Sequence, residues 1–361
     1  MNITAKITGI KYTPFLCRDL NEYGFDELDN SLSKDATFIL KVDDKNKVAI
    51  SWWVSAKRTR SYPYARVYDS LSFSGKKITI IPILKDEGKE GDRDFLQWDT
   101  VSLMSLLGIY VIISYYKDAI QSSRYKHKIT KQKFDIEQVK SEIKKIISFQ
   151  SDALHWNLKQ IENVGEIGEK ALKSYEEISS RLGVEMHSKE SAKKRIQKLL
   201  EGKEEFMNLS RKLAKKAQER EQVTTQPKEL VDGTKATLTI KNYLGGYYYF
   251  TADEVEIKGE DVHLIEAKHT GREIFPSPGD IKDGLLRMIL FTNLEEVKVD
   301  DKEYNPVPVL KLTSDERFDI DKLSSSKREI LETLMKEAKT NGFKVLLNNN
   351  SINFPETQTR L

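Results

Sequence analysis

The chain has 361 residues, with 59 Lys and Arg against 56 Asp and Glu, so its formal charge is only +3. At about 100–200 residues per domain that length predicts two or three domains, and the near-balance of charge means that any surface for a polyanion must come from local clustering. Hydrophobic residues make up 39%, enough for real cores, while a single cysteine (Cys17) excludes a disulfide framework and a cysteine-rich zinc site.

The first residues, Met1-Asn2-Ile3-Thr4-Ala5-Lys6, lack the apolar core of a signal peptide. Residues 1–120 read as a β-rich region. Segments 36–42 and 48–54 flank a polar turn and predict a hairpin; segments 66–73 and 77–84, joined around Ser74-Gly75, predict a second. Residues 85–94 are charged and contain glycine, so they read as a loop. Its acids Asp86, Glu87, Asp92 and Asp94 lack the order of an EF-hand and are expected to be solvated or to cap a helix. Residues 95–120 predict one long helix, apolar nearly all round and therefore buried in a core or an interface. Its most apolar part, 103–116, is shorter than the roughly 20 residues that span a bilayer. The expectation is a cytoplasmic protein with no membrane segment.

Residues 57–68 interleave Lys57, Arg58, Arg60 and Arg66 with Tyr62, Tyr64 and Tyr68. Arginine grips phosphates and guanine edges, and tyrosine stacks or hydrogen-bonds. Lys57, Arg58, Arg60, Tyr62, Tyr64 and Arg66 are therefore candidate nucleic-acid contacts; the alternative is an ordinary loop before a strand.

Residues 121–222 contain no proline and carry Ile, Leu, Lys and Glu at helical spacing, which predicts two to four helices broken near Gly165/Gly168 and Gly183. The segment holds 23 Lys and Arg against 16 Asp and Glu, or +7, leaving the rest of the chain at −4. It reads either as a solvated helical face or as a phosphate-tracking arm. Thr224-Thr225-Gln226-Pro227 marks a boundary, and residues 223–361 form a third, mixed α/β domain. Strands are predicted over 236–243, over 247–251 followed directly by 253–257, and over 262–269, 307–313 and 343–347. Helices are predicted over 281–294 and from Ser325 or Ser326 to Lys339. The order is β-β-β-α-β-α-β.

The chemistry concentrates in residues 251–268. Strand alternation puts Val262, Leu264, Glu266 and Lys268 on one face, and Asp253, Val255 and Ile257 on one face of the preceding strand. Pairing about the Lys258–Asp261 turn brings Asp253 and Glu266 to the same end of the hairpin, with Lys268 beside them. Hard cations such as Mg²⁺ bind through one or two carboxylates plus water and phosphate. Asp253, Glu266 and the carbonyl of Ala267 offer those oxygens, and Lys268 can orient a water or neutralise a phosphate oxygen. Should the register differ by one, Glu254 or Glu256 becomes the metal acid; Glu229 is a possible further acid. His263 points to the opposite face and reads as structural.

Ala252-Asp253, a hairpin turn, then Glu266-Ala267-Lys268 resembles the PD-(D/E)xK nuclease motif, with Ala in place of Pro. The resemblance covers about residues 230–350. It implies a restriction-endonuclease-like core, a central mixed sheet flanked by helices, within an α+β (mixed α/β) chain. It implies that Asp253 and Glu266 bind Mg²⁺ and that Lys268 assists the nucleophile. Stretches in 52–68 and 81–99 are similar to segments of bacterial restriction-type endonucleases. The function these observations predict is Mg²⁺-dependent cleavage of double-stranded DNA by a type II restriction endonuclease. Cutting both strands with one site per chain favours a homodimer, with 95–120 as the candidate interface. The rivals are a repair or recombination nuclease with the same core and a non-catalytic DNA-binding protein.

Overall fold

A computed structural model describes residues 2–57, 61–201, 234–242, 247–271, 273–316, 318–348 and 350–351. The class is α+β, as predicted. The chain divides into two compact units, at boundaries different from the three predicted. One is Cys17–Ala217 with Leu244–Tyr248; the other is Met1–Leu16, Gln218–Tyr243 and Tyr249–Leu361. The β-rich segment and the helical segment that follows it therefore build one unit, and the first residues of the chain belong with the last.

In the first unit, Thr37–Lys41 and Lys47–Trp52 form the expected antiparallel hairpin. Lys77–Pro82 and Ile109–Ser114 add parallel to it, and Glu22–Gly24 closes the other side of a five-stranded sheet. Two expectations fail here for local reasons. Residues 66–73 are not a strand: Pro63 opens a helix, Pro63–Asp69, that buries Tyr64, Val67 and Tyr68 at helical spacing. Residues 95–120 are not one helix. The helix Trp98–Leu106 stops at Gly108, whose φ of +68° suits glycine, and the β-branched run Val111-Ile112-Ile113 continues as a buried strand. Tyr116–Gln121 and Ile129–Phe134 then form a separate hairpin.

The predicted charged loop is also corrected. Leu84–Asp86 and Arg93–Phe95 pair as a short hairpin, and Lys85, Asp86 and Asp94 are buried. Asp94 accepts the Ser55 hydroxyl at 2.7 Å, Lys85 lies 2.8 Å from Glu87, and Asp86 accepts the Gly88 amide at 2.9 Å and faces His187 at 2.8 Å. Asp86 and Asp94 are thus buried against partners, whereas Asp92 is exposed, as expected.

Helices Ile136–Ser148, Ala153–Glu162, Val164–Leu182 and Lys189–Leu200 follow. The break expected near Gly165/Gly168 falls at Asn163, just ahead of Gly165, and Gly168 lies within the helix that follows. A Cβ on Gly168 would meet Ile196 at 2.5 Å, so the glycine permits a close crossing of the two last helices. Gly183, at φ +64°, does end its helix.

Strand Ile109–Ser114 is closed on its outer side by side chains. Asn157 Oδ1 accepts the Val111 amide at 2.7 Å and its Nδ2 donates to Ile109 O at 2.9 Å. Trp156 Nε1 donates to Val111 O at 2.8 Å, Gln160 accepts the Ile113 amide at 3.2 Å, and Gln138 donates to Ile113 O at 3.1 Å. Helical amides thus replace a neighbouring strand. The segment expected to form a dimer interface is occupied within its own unit.

The second unit holds a nine-stranded sheet. Tyr247–Lys258 and Asp261–Thr270 are antiparallel, and Asn305–Ser314 and Lys344–Leu347 add parallel to them. This follows the predicted strand and helix order. Helix Pro278–Phe291 is capped by Ser277 and packs on the 261–270 and 305–314 strands; Ser324 caps helix Ser325–Asn341. The strands that sequence did not indicate are Asn2–Ile7, parallel to Thr234–Asn242 and antiparallel to Glu295–Val299, together with Glu295–Val299 itself, Lys302–Glu303 and Asn350–Ser351. Glu229, Thr224–Pro227 and the basic residues from 203 to 220 lie outside the described residues.

Replacing Asn157 by Ala strips partners from two buried backbone groups of the edge strand. At about 1–3 kcal/mol for each unsatisfied group, the variant is expected to lose roughly 2–6 kcal/mol of unfolding free energy, measured by urea denaturation. An unchanged midpoint would mean that the strand is closed by other means.

Candidate active site

The hairpin 247–270 pairs Glu254 with Ile265, Val255 with Leu264, Glu256 with His263 and Ile257 with Val262. Directly opposed residues share a face, so continuing that register sets Asp253 against Glu266. The ladder gives way there to a side-chain bond: Asp253 Oδ2 accepts the Ala267 amide at 2.8 Å. Asp253, Glu266 and Lys268 are therefore brought to one end of one face, as the alternation predicted. Ala267 lies between the acid and the lysine, and its peptide N–H holds Asp253 in place.

Lys268 Nζ lies 2.9 Å from Glu266 Oε1 and 2.9 Å from Asp283 Oδ2. Asp283 comes from helix Pro278–Phe291, and sequence reasoning missed it. The signal was an acid one turn into the helix that follows the motif, directly before a glycine. That glycine has a packing reason: a Cβ on Gly284 would lie 2.7 Å from Leu310 and 3.3–3.4 Å from the Lys268 stem. The helix can approach the strand only because position 284 has no side chain.

Glu254 is not the metal acid. It points to the opposite face, is 2% exposed, and pairs with Lys311 at 2.9 Å. Lys311 stands beside Ala267 in the parallel register, which fixes it on that second face. Glu256 pairs with Lys258. The in-register reading, with Asp253 as the acid, is the one the backbone supports.

Glu266 is 3% exposed, and its Oε2 has no hydrogen-bond partner among the described residues. Burial, followed by the nearby charge of Asp253, pushes its carboxyl up to about 8. Burial pulls Lys268 downward, but Glu266 and Asp283 outweigh it and the ammonium ends above its ordinary range. Lys268 is thus a fixed cation at neutral pH, able to act by charge and hydrogen bonding rather than by taking a proton.

With Glu266 holding its proton near neutral pH, the carboxylates of Asp253 and Asp283 still outnumber the one ammonium, and Glu266 keeps an orphaned buried oxygen. Those features fit a hard dication on Asp253 and Glu266, with Ala267 O as a backbone oxygen. No group of three or more His, Cys, Asp or Glu side chains among the described residues gathers tightly enough to hold a metal by itself. The fit therefore requires water or phosphate to complete the shell, as Mg²⁺ ordinarily does.

The tyrosine-arginine segment has a different fate. Tyr64 is 4% exposed, with its ring edge-on to Trp53 at 5.9 Å. Arg66 donates to Trp52 O at 2.8 Å, stacks over the Trp52 ring at 4.4 Å, and burial pushes its guanidinium down to about 10. These two are structural supports of the first unit, a correction to their expected role on nucleic acid. Lys57 and Tyr62 are exposed, and Arg58 and Arg60 lie outside the described residues. No helix among the described residues is long and apolar enough to cross a membrane. Comparison of the chain with protein-family models, curated proteins and solved structures returned no match.

The Glu266 carboxyl gives a pH signature. Its folded-state value lies above the unfolded value, so the unfolded chain sheds this proton first as pH rises. The stability it confers is complete below about 4.5 and is lost as pH passes about 8. A divalent cation must displace that proton. Titration calorimetry of Mg²⁺ near neutral pH, in buffers of different ionisation enthalpy, is expected to read release of close to one proton per ion. Glu266→Gln should abolish that release.

Proposed function

We propose that the chain is a Mg²⁺-dependent endonuclease acting on double-stranded DNA, with type II restriction as its closest functional class. The observation that carries this reading is the Lys268 ammonium fixed beside Glu266, whose free buried oxygen faces the same side as Asp253. The setting is consistent with it. The acids and lysine end a strand of an antiparallel hairpin, and a helix crossover leads to a parallel strand beside it, the order that the resemblance to PD-(D/E)xK nucleases implies.

Each residue has a distinct task in this reading. Asp253, oriented by the Ala267 amide, and Glu266 supply anionic oxygens. Lys268 carries a positive charge that can stabilise the developing charge on a phosphate oxygen or orient the attacking water. Asp283 keeps that ammonium in place from the neighbouring helix. When bound, Mg²⁺ would lower the pKa of a coordinated water and offset charge on phosphorus. One such site per chain cuts one strand, so a double-strand cut calls for two copies acting together.

The test is plasmid cleavage with and without Mg²⁺. Defined fragments are expected from wild type with the metal, and none without it. Asp253→Ala and Lys268→Ala are each expected to lower the rate by at least about a hundredfold, with duplex binding retained. Cleavage confined to branches or ends would instead assign a repair nuclease. Wild-type binding without metal-dependent cleavage would leave only a DNA-binding protein.

A further inference from the structure

The hairpin of Tyr116–Gln121 and Ile129–Phe134 falls in the segment that sequence had read as helical. From 116 to 134 it carries six cations (Lys117, Arg124, Lys126, Lys128, Lys131 and Lys133) against one acid, Asp118. The charges near its base are paired: Lys117 with Asp135 at 3.3 Å, Lys133 with Asp29 at 3.6 Å, and Asp118 with Arg181. Those toward the tip are not. No acid among the described residues pairs with Arg124, Lys126, Lys128 or Lys131. Of the acids in the adjoining 87–90 turn, Glu87 faces Lys85 and Glu90 faces His127 at 3.3 Å.

The tip also presents an aromatic ring to solvent. Tyr125 is 44% exposed, with the Arg124 guanidinium and the Lys128 ammonium 5.3 and 5.5 Å from its centroid. The loop is already ordered. Ser122 N donates to Lys128 O and Lys128 N to Tyr125 O, both at 2.9 Å, and Gln121 Nε2 donates to Lys126 O at 2.6 Å. The base is fixed by the stacked rings of Tyr116 and Phe134, 4.6 Å apart. A cationic two-stranded ribbon with strands about 4.8 Å apart fits the roughly 12 Å major groove of B-DNA. Besides Tyr125, the hairpin exposes one large apolar side chain, Ile120, at 46%.

We propose that this hairpin is a docking surface for duplex DNA, with Arg124, Lys126, Lys128 and Lys131 on phosphates and Tyr125 at the groove. The proposal rests on the DNA reading above and moves the contact away from Tyr64 and Arg66, which the fold uses internally. Positive charge held in one preordered element binds a polyanion by releasing its counterions, so affinity falls with salt in proportion to the phosphates engaged.

The experiment measures binding of the full chain to a labelled random-sequence duplex across a salt series, by fluorescence anisotropy without divalent metal. Replacing Arg124, Lys126, Lys128 and Lys131 together by Ala is expected to weaken binding more than about tenfold and to flatten the log–log salt slope by about 3–4. The single variants Arg124→Ala and Lys126→Ala should each flatten it by about 0.9. Tyr125→Ala should weaken binding without changing the slope, because the phenol is uncharged. A control with Lys173, Lys193, Lys194 and Lys198 changed to Ala removes equal charge from helices of the same unit and should keep the slope. Equal losses in both quadruple variants would overturn the proposal, since net charge alone would then explain binding. So would retention on phosphatidylserine vesicles that exceeds retention on duplex and is lost with the hairpin cations. The same preparations are assayed for Mg²⁺-dependent nicking. If wild type nicks and the hairpin variant binds and nicks equally well, the hairpin falls and the nuclease reading stands. A wild type that neither binds nor nicks overturns both.

Discussion

An ammonium held between two carboxylates below the surface sets the arrangement of the second unit. Lys268 is largely buried, so its charge is tolerable only with partners at hydrogen-bond distance, and Glu266 and Asp283 supply them. That requirement dictates how closely helix Pro278–Phe291 lies on the strands, and the lack of a side chain at Gly284 is what makes the distance possible. On the other face of the same hairpin, Glu254 is buried against Lys311. Buried ion pairs add little net stability, because desolvation offsets their attraction, yet breaking one is costly. Two pairs on opposite faces therefore act chiefly on register. A slip of one residue would exchange Asp253 and Glu254 between faces and leave both lysines with wrong neighbours.

This explains why the site was readable in the sequence while much of the first unit was not. Glu266-x-Lys268 and Asp253 sit on strands whose alternation is regular, and one glycine turn at Gly259 sets the pairing, so face and register follow from counting. Asp283 was not readable that way, because its role depends on how a helix crosses the sheet. In the first unit local patterns competed with tertiary ones. Residues 95–116 are mostly apolar, which suits a buried helix and a buried strand equally; Gly108 separates them. Residues 66–73 contain strand-forming side chains, but Pro63 and the spacing of Tyr64, Val67 and Tyr68 favour a helix. Asp86 and Asp94 looked solvated because their partners, His187 and Ser55, are distant in sequence.

The same competition bears on assembly. An apolar segment such as 95–120 invites assignment to an interface, yet a strand edge is available to a second chain only while its backbone groups are unpaired. Here Asn157, Trp156, Gln160 and Gln138 take up those groups on Val111, Ile109 and Ile113. The side chains that close the edge come from helices later in the chain, so closure requires those helices to be docked. If two copies act together on a duplex, they do not pair through the edge of strand Ile109–Ser114.

Electrostatics then constrains how a polyanion reaches an acidic site. Asp253 and Asp283 outnumber Lys268, so the field of such a site disfavours a phosphate unless a dication balances it. Under the proposed function, binding free energy for DNA would have to come from another surface. The sequence concentrates its positive excess in residues 121–222, and within that segment the hairpin tip holds cations without acid partners among the described residues. Under the proposed function, a chain built this way would separate attraction from chemistry. The basic element would raise the local concentration of duplex, and the acid-lined site would discriminate by requiring the metal. Salt would then act mainly on the first of these steps and metal on the second, so the two can be varied independently in one preparation.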